Sequence, residues 1–415
     1  MNRLFLLISL LLSSAWLPLH SAAEDFDDAD LRANPEIEAD APAAEVSIPG
    51  YIRRGANEIN LNGADWSGLR SRLRHASDTV VSIVHIGDSH VQADIGTGYT
   101  RRRLQARYGS AGRGIVTPLR IAGTNEPRDY TFTSPDGIIG SRLLKMPWPT
   151  EMAFTGCAAA PANPGEFRLR LSAREPFDSL RVHATGPGLL WRDRKAPGKV
   201  LDIPLDRAVT ETEITLAAPP GTAIGGIELL RGHDGLLYHA FGNNGATYST
   251  YCLIGGVGRD LAALSPDLII VSLGTNEAFG RLVPSAFTSA MDELVTDMRR
   301  HNPRAEILLV TPAECYRRTT RTVTRRGKGK RRRRTRVTSY AVNQNIARVR
   351  DLIMDYGRTH HIPVYDWYSV AGGAGSAARW LADGTLGRDR IHLSAAGYRL
   401  QGELTAQALI KALEN

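Results

Sequence analysis

Ser89 stands where a serine can act as a nucleophile. It lies in Val80 to Asp94, VVSIVHIGDSHVQAD, where the mostly apolar and β-branched run Val80 to Ile86 reads as a buried parallel strand and stops at Gly87. A serine between such a strand and a following helix exposes its hydroxyl at the carboxyl edge of the sheet. Its own N–H then lies near a helix N-terminus, which favours a developing negative charge. Acyl transfer through a serine also needs a base, a group that orients the base, and donors for the oxyanion. The chain supplies them in order. His392 is the candidate base, and Asp389, three residues earlier, can accept its other imidazole N–H. The N–H groups of Ser89 and Gly245 and the side-chain amide of Asn276 are the candidate oxyanion donors, although Gly242 lies close enough to Gly245 to take its part. Asp88 and Asn244 are expected to brace the site by hydrogen bonding. This chemistry requires neither metal nor organic cofactor, and none is expected. The absence of a G-x-S-x-G elbow speaks against an α/β-hydrolase.

The elements that must hold these residues follow from periodicity. Trp66, Leu69 and Leu73 sit at helical spacing behind Asp65, a plausible N-cap, and an amphipathic run covers Thr100 to Tyr108. From about 125 to 240 the pattern turns short and alternating: Phe167, Leu169 and Leu171, then Leu180, Val182 and Ala184, then Ile214 and Leu216, separated by Gly and Pro clusters. That grammar predicts an inserted β-sandwich or jelly roll. Strand and helix alternation then returns. Asp267 to Leu273, Glu306 to Thr311 and Ile362 to Tyr365 are expected strands, and Ala286 to Arg300, Tyr340 to Arg358 and Ala395 to Leu413 expected helices. The fold class is therefore α/β, a three-layer α/β/α domain in two parts, 51–124 and 241–415, around the insert. Ligands in such sheets bind at the carboxyl ends of the strands, where all four candidate segments fall.

The 415 residues are 42% hydrophobic and 23% charged, which suits a two-domain globular chain. Residues 1–23 read as a secretory signal peptide: Arg3, an apolar Leu4 to Leu17, then Ser21-Ala22-Ala23. An exported, periplasmic or secreted protein with no membrane span is expected. Residues 24–50 form an acidic leader expected to be disordered. Cys157, Cys252 and Cys315 are three widely spaced thiols, read as unpaired with a Cys252–Cys315 bridge as the alternative; they fit no zinc site. The net charge of +8 is local. Residues 317–336 hold 12 Lys or Arg and no acid, and the remaining 39 basic residues are outnumbered by 43 acidic ones. So dense a tract is expected to be a disordered loop on the active-site face. Export argues against nucleic acid as its partner and favours a polyanion of the cell envelope (peptidoglycan stem carboxylates, anionic glycolipid or the protein's own acidic leader), with a solvated loop without function as the alternative. Trp148 and Trp191 are candidate glycan contacts by type, with packing as the alternative.

Four blocks in this order resemble the SGNH (GDSL-type) hydrolase superfamily. Gly87 to His90, GDSH, matches the first, with His90 where many members carry Leu; Asn244 to Ala246, NGA, matches the glycine block. Gly274 to Glu277, GTNE, matches the Gly-x-Asn block, with Glu277 where Asp is commoner, and Asp389 to Ser394, DRIHLS, matches the Asp-x-x-His block. The resemblance implies a flavodoxin-like parallel sheet and a serine esterase. GDSH followed by a β-rich insert is similar to the peptidoglycan O-acetylesterases, in which the insert resembles a family-35 carbohydrate-binding module. It implies O-acetylated peptidoglycan as substrate, at the C6 hydroxyl of N-acetylmuramic acid. The same site would serve an O-acetyltransferase or a deacetylase of another polysaccharide such as xylan. A glycan-binding protein with a vestigial site is the alternative from another class.

Overall fold

The apolar runs assemble into one six-stranded sheet. Its strands are β1 (Ile59–Asn60), β2 (Val80–Gly87), β3 (Gly235–Gly242), β4 (Leu268–Ser272), β5 (Glu306–Val310) and β6 (Val364–Tyr365), in the order β1-β6-β5-β4-β2-β3. Only β1 is antiparallel. The five parallel strands thus follow the flavodoxin-like order 2-1-3-4-5, and the order reverses between β2 and β4. The computed structural model describes residues 46–192, 194–195, 199–326 and 332–415. The expected signal peptide and the leader as far as Glu45 lie outside them.

Both faces of the sheet are covered, and alternation sorts each strand between them. Val81, Ile83, Leu268, Ile270 and Leu308 face the helices Ser67–Arg74, Ile95–Tyr108 and Ala395–Glu414. Val84, Ile86, Ile269, Val271 and Leu309 face Pro284–His301 and Asn345–Thr359, whose Phe287, Met291, Leu294 and Ile353 fill the other layer. Trp66 is fully buried, and Asp65 accepts the Ser67 N–H at 2.8 Å. Among the described residues no helix is long and apolar enough to cross a membrane.

A separate nine-stranded, largely antiparallel sheet lies between β2 and β3 in the chain. Its two long strands, Gly165–Thr185 and Val200–Ala218, pair along most of their length with register breaks near Val209, and their inward positions share one core with Phe132 and Ile227. Its limits differ from the expected 125–240. Gly112–Val116 already pairs with Ala223–Leu230, whereas Gly235–Gly242 is the edge strand β3 of the parallel sheet. GLLYHAFG is buried along its whole length because Gly112–Val116 covers it, with Ile115 N–H donating to His239 Nδ1 at 3.2 Å. A covered edge reads in sequence like any other apolar run.

Charge locks the two sheets together. Arg101 and Arg113 each bond Asp94 at 2.7 Å in a nearly dry interior, and both also reach Asp129, whose side chain is 21% exposed. Removing one member leaves an uncompensated buried charge. Arg113→Met is expected to destabilise the protein by about 3–5 kcal/mol, read from the urea midpoint. A loss below ~1 kcal/mol would show that the network contributes little net stability.

Two expectations near the basic tract are corrected. Of the tract 317–336, the described residues 317–326 and 332–336 are not a structureless loop: Tyr316–Arg326 pairs antiparallel with Arg332–Val342. Six threonines and three valines in the two strands carry strand propensity that the charge count concealed. The helix expected from Tyr340 begins at Asn345, because Tyr340 to Val342 pair with Arg318 to Tyr316. Cys157 and Cys315 are buried free thiols and Cys252 is a half-buried one. Trp191 belongs to the core of the second sheet, and Trp148 packs against its apolar neighbours while donating to Leu143 O at 3.2 Å.

Candidate active site

Ser89 opens a one-turn helix, Ser89–Gln92, directly after β2 and beside the point where strand order reverses. Asp88 caps it, accepting the His90 N–H at 2.9 Å. Gly87 and Gly242 permit the crossing. A Cβ on Gly87 would lie 2.3 Å from Val91 Cγ2, and one on Gly242 would lie 2.3 Å from Asp88 O. Gly242 is therefore a packing glycine. Gly245, three residues on, has φ +81°, in the left-handed region that glycine reaches without strain.

The structure joins residues 303 positions apart: Ser89 Oγ lies 2.7 Å from His392 Nε2. His392 Nδ1 lies 2.5 Å from Asp389 Oδ2, and Asp389 Oδ1 accepts the N–H groups of Ile391 and His392 at 2.9 and 3.0 Å. Burial alone would raise Asp389, but its hydrogen bond to His392, that ring's charge and the two backbone donors hold it below the usual carboxylate range. Ser89 and His392 are both more than nine-tenths buried.

Asn276 connects the remaining pieces. Its Nδ2 donates to Ala246 O at 3.0 Å and reaches Asp88 Oδ2 at 3.4 Å, bridging the Gly245 turn and the Ser89 turn. The second contact is at the limit of a hydrogen bond, so that N–H can turn toward another acceptor. The Asn244 N–H donates to Gln92 Oε1 at 2.7 Å and its Nδ2 to Asn125 Oδ1 at 2.9 Å.

Several participants were missed in sequence. Gln92, one helical turn beyond Ser89, also donates to Thr124 Oγ1 at 3.0 Å; its polarity at that spacing was the available signal. Asn243 ties the site to the second sheet through Thr155 O at 2.9 Å, just before the strand Cys157–Pro161, and to the helix Tyr248–Cys252 through Tyr251 Oη at 3.0 Å. His90 packs 5.0 Å from the His392 ring, centroid to centroid, and bonds Tyr398 Oη at 3.0 Å. Burial, then the His392 charge, push it down to about 3, so it stands neutral beside His392. Glu277 is pushed up to about 7 by burial and accepts the Tyr248 N–H at 2.9 Å, which makes it a brace for the helix Tyr248–Cys252.

Asp88 is pushed up to about 6 by burial, against its hydrogen bonds and the His392 charge. An acid whose folded value is raised contributes stability below its unfolded value, about 3.9, and loses it as pH rises through about 6. The melting temperature of the native protein relative to Asp88→Asn should therefore fall between about pH 4 and pH 6. Parallel curves would show that Asp88 ionises normally.

Comparison with known proteins bears on the fold and on part of the chain. Residues 227–400 match the GDSL-like Lipase/Acylhydrolase family, a span that includes Gly245, Asn276, Asp389 and His392 and leaves Ser89 on the far side of the inserted sheet. A search of curated proteins finds no match. Among solved structures, one described as a peptidoglycan O-acetylesterase in action aligns with TM-score 0.68 and 24% identity over 85% of this chain and 97% of its own. A lipase/acylhydrolase from Enterococcus faecalis aligns with TM-score 0.30 and 17% identity over 43% of this chain and 78% of its own. The chain thus shares the fold of the first of these structures and carries, over residues 227–400, a match to the GDSL-like lipase/acylhydrolase domain.

Proposed function

We propose that this chain is an exported serine esterase that removes O-acetyl groups from cell-wall glycan, with O-acetylated peptidoglycan as substrate and the C6 acetyl of N-acetylmuramic acid as the bond cut. The observation that carries the reading is the hydrogen-bonded line Ser89–His392–Asp389 at the switch point of the sheet. Ser89 Oγ attacks the acetyl carbonyl carbon as its proton passes to His392 Nε2, while Asp389 holds the Nδ1–H and stabilises the imidazolium. The oxyanion is received by the N–H groups of Ser89 and Gly245 and by the Asn276 amide, which turns from Asp88. Collapse expels the sugar oxygen, protonated by His392, and leaves acetyl-Ser89. Water then surrenders a proton to His392 and attacks the acetyl carbon, releasing acetate and restoring the serine. Asp88, Asn244 and Gln92 hold the turns on which the donors sit.

The glycan part of the reading is supported by the fold shared with the acetylesterase structure; the inserted sheet is joined to the site through Asn243, which donates to Thr155 O. The test is acetate release from O-acetylated peptidoglycan beside nitrophenyl acetate and a long-chain nitrophenyl ester. Release from the wall polymer with a preference for acetyl is expected. Hydrolysis of the small esters alone would remove peptidoglycan as substrate. Acetyl moved to a sugar acceptor without free acetate would make the enzyme a transferase, and no hydrolysis of any ester would end the esterase reading.

A further inference from the structure

The hairpin Tyr316–Arg326 and Arg332–Val342 grows out of the active site. Its strands form a two-stranded sheet that pairs with neither of the others. Tyr316 N–H donates to Arg390 O at 2.9 Å, and the Arg390 guanidinium lies 4.0 Å from the Tyr340 ring centroid and 5.5 Å from that of Tyr316. Arg390 stands between Asp389 and His392, with φ +62°. The other strand is followed by Asn343, whose Nδ2 donates to Ala278 O at 3.1 Å, two residues beyond Asn276. The root of the hairpin therefore rests on both the segment of the candidate base and that of the amide donor.

Register decides which face leads inward. Tyr316, Arg318, Thr320, Thr322 and Thr324 stand opposite Val342, Tyr340, Thr338, Arg336 and Arg334, so all share one face. That face begins with the tyrosines packed on Arg390 and continues outward through exposed Arg318, Arg336 and Arg334, with threonine hydroxyls between them. No acid occurs from Tyr316 to Val342, in a chain otherwise net acidic. Arginine's planar fork donates two parallel N–H bonds to one carboxylate, which a point charge cannot do. From Val342 to Arg334 the strand runs roughly 27 Å at its usual rise, a length suited to a polymer and not to a small anion.

We infer that this face is a docking arm for the acetylated polymer itself, a glycan bearing carboxylates, which binds along Arg318, Arg336 and Arg334 and is led past Arg390 to Ser89. The inference rests on the esterase reading and adds to it that the substrate is a polyanion recognised away from the scissile bond.

The experiment compares the native enzyme with R334Q/R336Q on O-acetylated peptidoglycan fragments, on the same fragments with their carboxylates amidated, and on nitrophenyl acetate. The ratio of kcat/KM on acidic fragments to that on nitrophenyl acetate should fall about 10-fold or more, as expected for loss of electrostatic capture. Amidation should erase the difference between the two enzymes, and raised salt should diminish it. An unchanged ratio would overturn the arm; equal losses on every substrate would make the arginines a brace for the Asp389–His392 segment. Binding of Ser89→Ala protein to the fragments separates the two readings. If it is weakened by R334Q/R336Q while no variant releases acetate, the arm stands and the esterase reading falls. Stronger capture by anionic phospholipid vesicles or by duplex DNA than by the fragments would overturn the glycan assignment.

Discussion

Ser89→Ala is expected to lower kcat on nitrophenyl acetate by roughly 10⁵- to 10⁶-fold, and His392→Ala to do about the same, the scale found where nucleophile and base act as one unit. The hydroxyl and the imidazole are 2.7 Å apart and share a single proton transfer. Removing either abolishes the covalent route, so the double variant should be no slower than the singles. What survives would come from the oxyanion donors and from binding. Both side chains are small and polar in a preformed pocket, and their truncation should leave far-ultraviolet circular dichroism unchanged. A double variant slower by the product of the two single effects would mean that serine and histidine act in separate steps, and the acyl-enzyme route would be withdrawn.

Asn276→Ala should cost roughly 100- to 1000-fold in kcat with a small change in KM, the range for deleting one oxyanion donor. The reason is differential binding: the charge it meets exists only in the transition state. The amide also bridges Ala246 O and Asp88 Oδ2, so structural damage must be told apart from lost catalysis. Thermal unfolding provides that control: Asn276→Ala should melt near the native temperature while its turnover falls. Asn276→Asp keeps the shape but has no N–H to donate to an oxyanion or to Ala246 O, and should be at least as slow as Asn276→Ala. Turnover of Asn276→Ala close to native would remove the residue from the oxyanion hole.

Local pattern carries a good deal of this protein. β2, β4 and β5 were legible because a strand covered on both faces must be apolar nearly throughout, and the helix Pro284–His301 because its buried positions repeat at helical spacing. The types in the candidate site were legible for a different reason. Serine, histidine, aspartate and asparagine near the ends of such strands have few structural uses in common, and their order along the chain restricts them further. The basic hairpin was misread because its charge spoke for solvation while its threonines and valines spoke for a strand, and local sequence has no rule for which prevails. Gln92, Asn243 and the Asp94–Arg101–Arg113–Asp129 cluster were passed over because a polar residue acquires meaning only from the partner that folding brings to it.

The sequence by itself determined the α/β class, the presence of a β-rich insertion and the chemical types available for acyl transfer, since periodicity and residue chemistry are local properties. Tertiary structure decided that Ser89 and His392 touch, that Gly242 packs while Gly245 turns, that Gly235–Gly242 belongs to the parallel sheet, and that the arginine-bearing hairpin is rooted on the segments holding Asn276 and Asp389. These depend on contacts across hundreds of residues, which strand order and register set and no local pattern encodes.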